Sequence, residues 1–295
     1  MIAPFALLTD PLQYPFMRYG LLEVVLLGVA SGLVGVFVVQ RQLTFFAHAL
    51  SHTIFPAVVL AAVLRLDLTV GALVGAALTV FLIYGLQRQK DVGHSGAVGM
   101  VLIALFAVGV VLVGLFRVRS PDVGASLVGN VVGASPGDVL LSVALVAILA
   151  VALRLLFWPL VFSSFDPGAA RGVGLPVAVL DVVLLTMVAG TAIVGVRVVG
   201  VILTVAQLVV PAAAALRWTR RLRPAMLLTA GISTGAGMAG LYIAYYVPIA
   251  PAAVMVLVLA GAFVASAVLG PAITRLTAGT PRRTVAWEPA VPHSE

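Results

Sequence analysis

The chain has 295 residues, of which 62% are hydrophobic and only 9% are charged, and its mean hydropathy is +1.21. Continuous apolar runs recur along its length, which indicates membrane-spanning helices and excludes the alternating pattern of an outer-membrane barrel. The chain has no cysteine, so any metal site must use nitrogen and oxygen ligands, and the net charge of +7 does not indicate nucleic acid because the basic residues lie at the ends of apolar segments.

Nine apolar segments are each near the ~20 residues that a helix needs to cross a bilayer. They lie at about 21–39, 43–64, 68–86, 95–116, 138–158, 177–196, 198–217, 225–246 and 251–270. The sixth and seventh are joined only by a few residues around Arg197, which leaves open a count of eight spans with one re-entrant segment. The sequence therefore predicts an all-α integral membrane protein, a polytopic bundle of eight or nine transmembrane helices.

The pattern divides the chain into an N-terminal segment 1–20, a transmembrane domain 21–270 and a tail 271–295 that we expect to be disordered. The first segment lacks a basic start, an apolar run and a small-residue cleavage site, so we expect no removable signal peptide. With nine spans and a cytosolic C-terminus, twelve basic residues lie inside and five outside. This bias predicts a multi-pass protein of the cytoplasmic membrane in that orientation.

Two histidines, His48 and His52, lie one helical turn apart in the second segment, so both imidazoles share one face of a membrane helix. Ionisable groups are costly there and usually mark a substrate path. The pair suits zinc and other borderline metals, although neutral imidazoles bonded to neighbouring helices are the alternative. Pro56 has no N–H, so it frees the carbonyl of His52 and adds a polar atom beside the pair.

Three further polar residues are candidates for a path through the membrane. Glu23 and Asp181 are carboxylates near the ends of apolar segments, where a pairing or helix-terminus role is the alternative. Gln207 lies four residues before Pro211, which removes the helical partner of the Gln207 carbonyl and predicts a kink. The freed carbonyl and the side-chain amide either line a hydrated path or only help packing.

The segment FDPGAARGVGLPV has the punctuation of a very short helix. Asp166 is placed as N-cap, Pro167 at the first helical position and Gly174 as the left-handed stop. The topology places this helix on the cytosolic membrane surface, where it either docks a partner or is an ordinary interfacial turn.

Several stretches, in order along about residues 20–270, resemble the permease subunits of ABC-type importers for zinc, manganese and iron. The second-span signature of that family is similar to RQLTFFAHALSHTIFP, its loop pattern to SLVGNVVGASPGDVL, and its coupling segment to FDPGAARGVGLPV. Its Val-Gly-hydrophobic-Pro-Ala-Ala run is similar to VVGVILTVAQLVVPAAAALRWTRRL. Where the family usually has an aspartate four residues before the path histidine, this chain has His48. The family's path residue corresponds to His52.

The resemblance implies a permease homodimer in the membrane lipid, two separate cytosolic ATPase subunits and an extracytoplasmic metal-binding protein. It assigns ATPase coupling to a short cytosolic helix in segment 162–176, with Asp166, Pro167, Ala170, Arg171 and Gly174. No cofactor is expected to be permanently bound: ATP is used by the partner subunit, and the metal ion is the cargo. The loss of the aspartate disfavours manganese relative to zinc without excluding it, and iron stays open.

Other functions fit the residues less well. Lys90 is the only lysine and has no phosphate loop around it, so ATP hydrolysis by that route needs a separate polypeptide. An intramembrane metalloprotease would need a glutamate where Ala49 stands, so we expect a transport subunit that is not an enzyme. A secondary transporter driven by an ion gradient and a siderophore or cobalamin ABC permease stay as alternatives.

Overall fold

The computed structural model describes residues 9–87, 93–116, 133–247 and 249–277, and over these ranges the regular structure is entirely helical. A short 3-10 helix, Pro11–Gln13, precedes the α-helices. The α-helices of the described ranges are α1 (Pro15–Gln40), α2 (Thr44–Thr53), α3 (Phe55–Val63), α4 (Leu68–Leu86), α5 (His94–Phe116), α6 (Pro136–Phe165), α7 (Pro167–Gly172), α8 (Val177–Val199), α9 (Val201–Trp218), α10 (Leu222–Tyr246) and α11 (Pro251–Thr277).

Nine helical segments in the described part of the chain are long and apolar enough to cross a membrane, with α2 and α3 counted together as Thr44–Val63. This confirms the polytopic all-α fold. The alternative of eight spans is not supported, because α9 has the length and composition of a full span. The turn between α8 and α9 needs only Gly200, whose φ of 84° lies in the left-handed region that glycine adopts without strain.

Three helices extend beyond the boundaries that hydropathy predicts. Helix α1 begins at Pro15, where a proline at the first helical position needs no N–H partner. Helix α6 continues through Pro159 to Phe165, and Leu160 and Ser163 of this extension are buried. Helix α11 continues to Thr277, so its backbone includes the first seven residues of the predicted tail. Residues 278–295, Lys90 and the first seven residues of the SLVGNVVGASPGDVL pattern lie outside the described residues.

Helix α1 lies at the centre of the bundle, where it packs against α6, α9 and α10. Two thirds of its most apolar window is buried, against 17% for α5 and α6. One apolar cluster joins α1 and α8 to α2–α6, and a second joins α1 and α8 to α9–α11. The peripheral helices therefore carry most of the exposed apolar surface, which in a membrane protein faces lipid or another subunit.

The contact between α1 and α10 is close because both helices present small residues. A Cβ atom at Gly32 would lie 2.6 Å from the Ala230 Cβ and 2.8 Å from the Met226 carbonyl oxygen. No side chain fits at Gly32 unless the two backbones move apart.

Candidate metal path and coupling helix

The two histidines share one face of α2, as their spacing predicts. Their ring centroids are 5.2 Å apart at an interplanar angle of 73°. The His48 side chain is exposed, and His52 is half-buried with its ring edge-on to Phe106 of α5 at 6.0 Å. Both imidazoles are thus accessible from outside the protomer. Both also lie within Thr44–Val63, which is long and apolar enough to cross a membrane.

The helix that carries the histidines is interrupted one turn later. Helix α2 ends at Thr53, Ile54 forms the junction, and α3 begins at Phe55 with Pro56 in its first turn. The Ile54 N–H donates to the Leu50 carbonyl at 3.2 Å, whereas Pro56 has no N–H to offer the His52 carbonyl. A backbone oxygen therefore lies near the imidazole pair without its usual helical donor.

The pair does not form a complete metal site within one protomer. Among the described residues, no group of three or more His, Asp or Glu side chains is arranged to hold a metal ion. The structure therefore does not bring Glu23 or Asp181 to the histidines. A transition metal generally needs about four ligands, so water or another chain would have to supply the rest.

Glu23 and Gln207 lie instead in the buried interior around α1. The Glu23 Oε2 accepts a hydrogen bond from the Ser142 hydroxyl of α6 at 2.6 Å, and the Gln207 Nε2 donates to the Val24 carbonyl at 3.4 Å. The Glu23 Oε1 and the Gln207 Oε1 have no hydrogen-bond partner. Buried polar atoms without partners are destabilising by about 1–3 kcal/mol each, so this region retains hydrogen-bonding capacity for water or cargo. Helix α9 runs through Pro211 without a break.

Asp181 forms an ion pair with Arg41, the residue that ends α1. Arg41 also donates from Nη2 to the Ser163 hydroxyl at 2.6 Å and from Nε to the Ser164 hydroxyl at 2.7 Å. Arg41 is one of the twelve basic residues that the charge bias places on the inside, and the sequence assigns it no partner. The ion pair could have been inferred from the sequence, because Arg41 directly follows one predicted span and Asp181 lies just inside another, at the same membrane face.

The predicted short helix is present as α7, Pro167–Gly172. The Asp166 Oδ1 accepts from the Ala169 N–H at 2.8 Å as N-cap, and Gly174 has a φ of 83°. Ala170 is fully buried against the bundle, and Arg171 is exposed. The helix is therefore anchored by one small side chain while its outer face is open to a partner.

These features define a class of protein. Apolar helices of membrane length, a pair of imidazoles on an accessible face of one of them and a short capped helix between two spans are typical of a polytopic membrane transport protein.

Comparison with known proteins places the chain within that class. The family model described as the ABC 3 transport family matches residues 13–270. The manganese transport system membrane protein MntC of Listeria monocytogenes is 30% identical over 252 residues, which are 84% of this chain and 88% of that protein. The manganese import system permease protein ScaB of Streptococcus parasanguinis is 29% identical over 259 residues, 88% of this chain and 92% of that protein. The chain therefore belongs to the ABC 3 transport family, as a multi-pass membrane permease.

Solved structures agree with the family. PsaBC from Streptococcus pneumoniae, solved in complex with a Fab, has a chain that superposes with a TM-score of 0.79 at 28% identity, covering 90% of this chain and 95% of that one. An inward-facing putative metal-chelate type ABC transporter matches with a TM-score of 0.66 at 16% identity, over 91% of this chain and 90% of that one. The second likeness is one of fold.

Proposed function

We propose that this chain is the permease subunit of an ATP-driven importer that carries a divalent transition metal, zinc, manganese or iron, across the cytoplasmic membrane. The observation that carries the proposal is the pair of imidazole rings of His48 and His52, 5.2 Å apart on the accessible face of α2. Family membership and the likeness to permeases named for manganese support it.

The cargo contacts follow from the chemistry of the pair. Two imidazole nitrogens and the His52 carbonyl, which lacks its usual helical donor, offer ligands to a borderline cation, and the accessible face lets a second copy of this chain or water complete the shell. A homodimer with its α2 helices facing each other satisfies this need. An extracytoplasmic binding protein delivers the ion, which is never chemically transformed. Nitrogen ligands favour zinc, whereas the names of the relatives favour manganese.

Energy enters through a separate ATPase subunit that docks on α7. Asp166 and Pro167 hold the first turn, Ala170 anchors the helix to the bundle, and Arg171 is free to contact the partner. Helix α7 connects the end of α6 to the start of α8, and both of these ends bond to Arg41. A push on α7 therefore reaches the turn from which α2 and its histidines begin.

Metal uptake by the reconstituted complex tests the proposal. We expect His52→Ala to abolish ATP-dependent zinc and manganese uptake while the ATPase subunit still co-purifies. The matched control is Thr44→Ala, an exposed residue at the start of the same helix, which keeps uptake. Undiminished uptake by His52→Ala would show that His52 is not part of the metal path. Uptake that follows a proton or sodium gradient instead of ATP would identify a secondary transporter.

Labelling tests the proposed orientation, because the chain has no cysteine of its own. A single cysteine in place of Gly172, where an added Cβ meets nothing within 4 Å, reports the location of α7. We expect a membrane-impermeant thiol reagent to label it only after the cells are opened. A cysteine in place of the exposed Leu66, at the opposite end of the bundle, should be labelled in intact cells.

A further inference from the structure

Helix α6 turns an apolar stripe outward, and one arginine lies within it. Val151, Leu155 and Trp158 on this stripe are 60%, 72% and 68% exposed. Arg154 is also exposed and lies among them. At a rise of 1.5 Å per residue, Arg154 is about 27 Å along the axis from Pro136, close to the ~30 Å thickness of the hydrocarbon core. With the start of α6 placed at one face of the hydrocarbon core, this guanidinium group lies near the opposite face, at the α7 end of the bundle.

Arg154 has no protein partner among the described residues. The ion pairs found there are Arg41 with Asp181 and Arg197 with Asp138. No hydrogen bond or ring contact involves Arg154 within the described ranges. A guanidinium on an exposed apolar surface in the membrane needs a counter-charge or water, because its transfer towards hydrocarbon is unfavourable. An anion from the membrane itself is the nearest source.

A second guanidinium lies on the same face of α6. The Arg223 Cζ atom is 5.1 Å from the ring centroid of Phe157 and 5.5 Å from that of Trp158. These rings follow Arg154 by three and four residues, so they lie one turn further along the same face. Stacking orients the Arg223 group and leaves its in-plane N–H donors available.

The position of Arg223 also favours an anion. It lies in the first turn of α10, where the positive end of the helix dipole repels a cation. Like Arg154, it has no carboxylate partner among the residues that the structure describes. Two unpaired guanidinium groups thus flank a pair of aromatic rings, and the exposed Trp158 ring is of the kind that is enriched at the membrane interface.

We propose that Arg154 and Arg223 together bind the phosphate of an anionic phospholipid in the leaflet at the α7 end of the bundle. Guanidinium groups bind phosphate oxygens through paired, charge-assisted hydrogen bonds. The apolar stripe of α6 provides the surface for the acyl chains, which a free phosphate ion does not have. The site is independent of the metal path, since none of its residues belongs to α2 or α7.

Native mass spectrometry of the purified full complex, reconstituted with phosphatidylglycerol or phosphatidylcholine, tests this site. We expect wild type to retain phosphatidylglycerol and not phosphatidylcholine, and R154Q/R223Q to bind it on the order of 25-fold more weakly, about fivefold for each arginine near a membrane surface. The matched control is R220Q/R221Q, which removes two exposed arginines just before α10, for which no ring contact is found among the described residues, and should retain the lipid.

Conservative variants separate the site from general damage to the fold. R154K/R223K keeps both charges, so we expect lipid binding between that of wild type and the glutamine variant. In parallel, phosphatidylglycerol should raise the thermal unfolding midpoint of wild type and of R220Q/R221Q but not of R154Q/R223Q. Equal retention by all variants would overturn the proposal. So would displacement of the lipid by inorganic phosphate at millimolar concentration, which would indicate a phosphate site without lipid specificity.

Discussion

Arg41 at the end of α1 forms an ion pair with Asp181 near the start of α8, and the same guanidinium group donates to two serine hydroxyls at the end of α6. Through these bonds Arg41 joins α6 and α8, the helices that precede and follow α7 in the chain. The residue after it, Gln42, has a φ of 55°, and α2 begins two positions later. One side chain thus connects the two helices on either side of α7, the proposed ATPase-docking helix, with the start of the helix that carries the histidines.

Removal of the Arg41 side chain tests this connection. R41Q leaves Asp181 and two serine hydroxyls without their shared donor, and we expect a loss of about 1–3 kcal/mol in stability. Less metal should be imported per ATP hydrolysed, because motion of α7 would no longer reach α2. R41K should restore only part of the ratio of metal imported to ATP hydrolysed, since a lysine ammonium group cannot reproduce the planar set of N–H donors of the guanidinium group.

The control for Arg41 is R220Q, which removes an exposed arginine that takes part in neither of the ion pairs found among the described residues. Metal uptake and ATP hydrolysis are measured on the same vesicles. A normal ratio of uptake to hydrolysis in R41Q would show that Arg41 only stabilises the fold.

Exchange of His48 for aspartate tests the metal preference. A carboxylate oxygen is a harder ligand than imidazole, so H48D should favour manganese over zinc relative to wild type. We expect a change in the uptake ratio on the order of tenfold, equivalent to about 1.4 kcal/mol. H48N removes the imidazole without adding a charge and serves as control. If H48D and H48N gave the same ratio, His48 would not be a ligand.

Substitution of Asp166 tests whether α7 must be preformed to bind the ATPase. D166A removes the N-cap acceptor, which typically stabilises a helix by about 1 kcal/mol, and should weaken ATPase binding about fivefold. D166N keeps an acceptor at the same place and should bind almost normally. The affinity is measured by titration of purified permease with the ATPase subunit. Equal weakening in both variants would assign the effect to the lost charge rather than to the cap.

Asp67, the N-cap of α4, gives a pH dependence. Hydrogen bonds from the Thr69 hydroxyl and the Thr69 N–H hold the pKa of Asp67 below its usual value. The ionised form therefore stabilises the fold at pH values above the ordinary aspartate pKa of about 3.9. This contribution is lost as the pH falls through the lower pKa of the folded state.

D67N provides the comparison for this pH dependence, because asparagine also caps helices but does not titrate. Unfolding midpoints of wild type and D67N should change in parallel between pH 7 and 5. Below about pH 4, wild type should lose more stability than D67N. If the unfolding midpoints of wild type and D67N changed in parallel down to pH 3, the lowered pKa of Asp67 would be contradicted.

The close contact between α1 and α10 predicts opposite effects for two glycines. An alanine at Gly32 would press against Ala230 and the Met226 carbonyl, so G32A should destabilise the protein by about 1–3 kcal/mol. An added Cβ at Gly231 of α10 meets nothing within 4 Å, so G231A should be neutral or stabilising by up to about 1 kcal/mol. Thermal unfolding in one detergent compares the two, and a G32A protein as stable as wild type would contradict the packing.

The sequence by itself determined the bundle of eight or nine apolar spans, the capped helix α7 and the shared face of His48 and His52. Each of these follows from interactions within one segment: the transfer of about twenty apolar residues into the bilayer, the hydrogen bonds of a helix cap and the 3.6-residue helical period. The predicted helix boundaries were less accurate. Helix α6 continues through Pro159, where Leu160 and Ser163 are buried, and the backbone of α11 continues to Thr277.

Only the tertiary structure decided which polar groups meet. Arg41 and Asp181 are 140 residues apart in the chain, and Ser142 and Glu23 are 119 apart. Neither local propensity nor hydropathy carries information about such pairs, because they depend on which helix faces fit together. The same holds for Arg223, which reaches the rings of Phe157 and Trp158 only because α10 begins beside α6. The residues of the proposed path and the proposed coupling helix are separate groups in the sequence, and helix packing connects them.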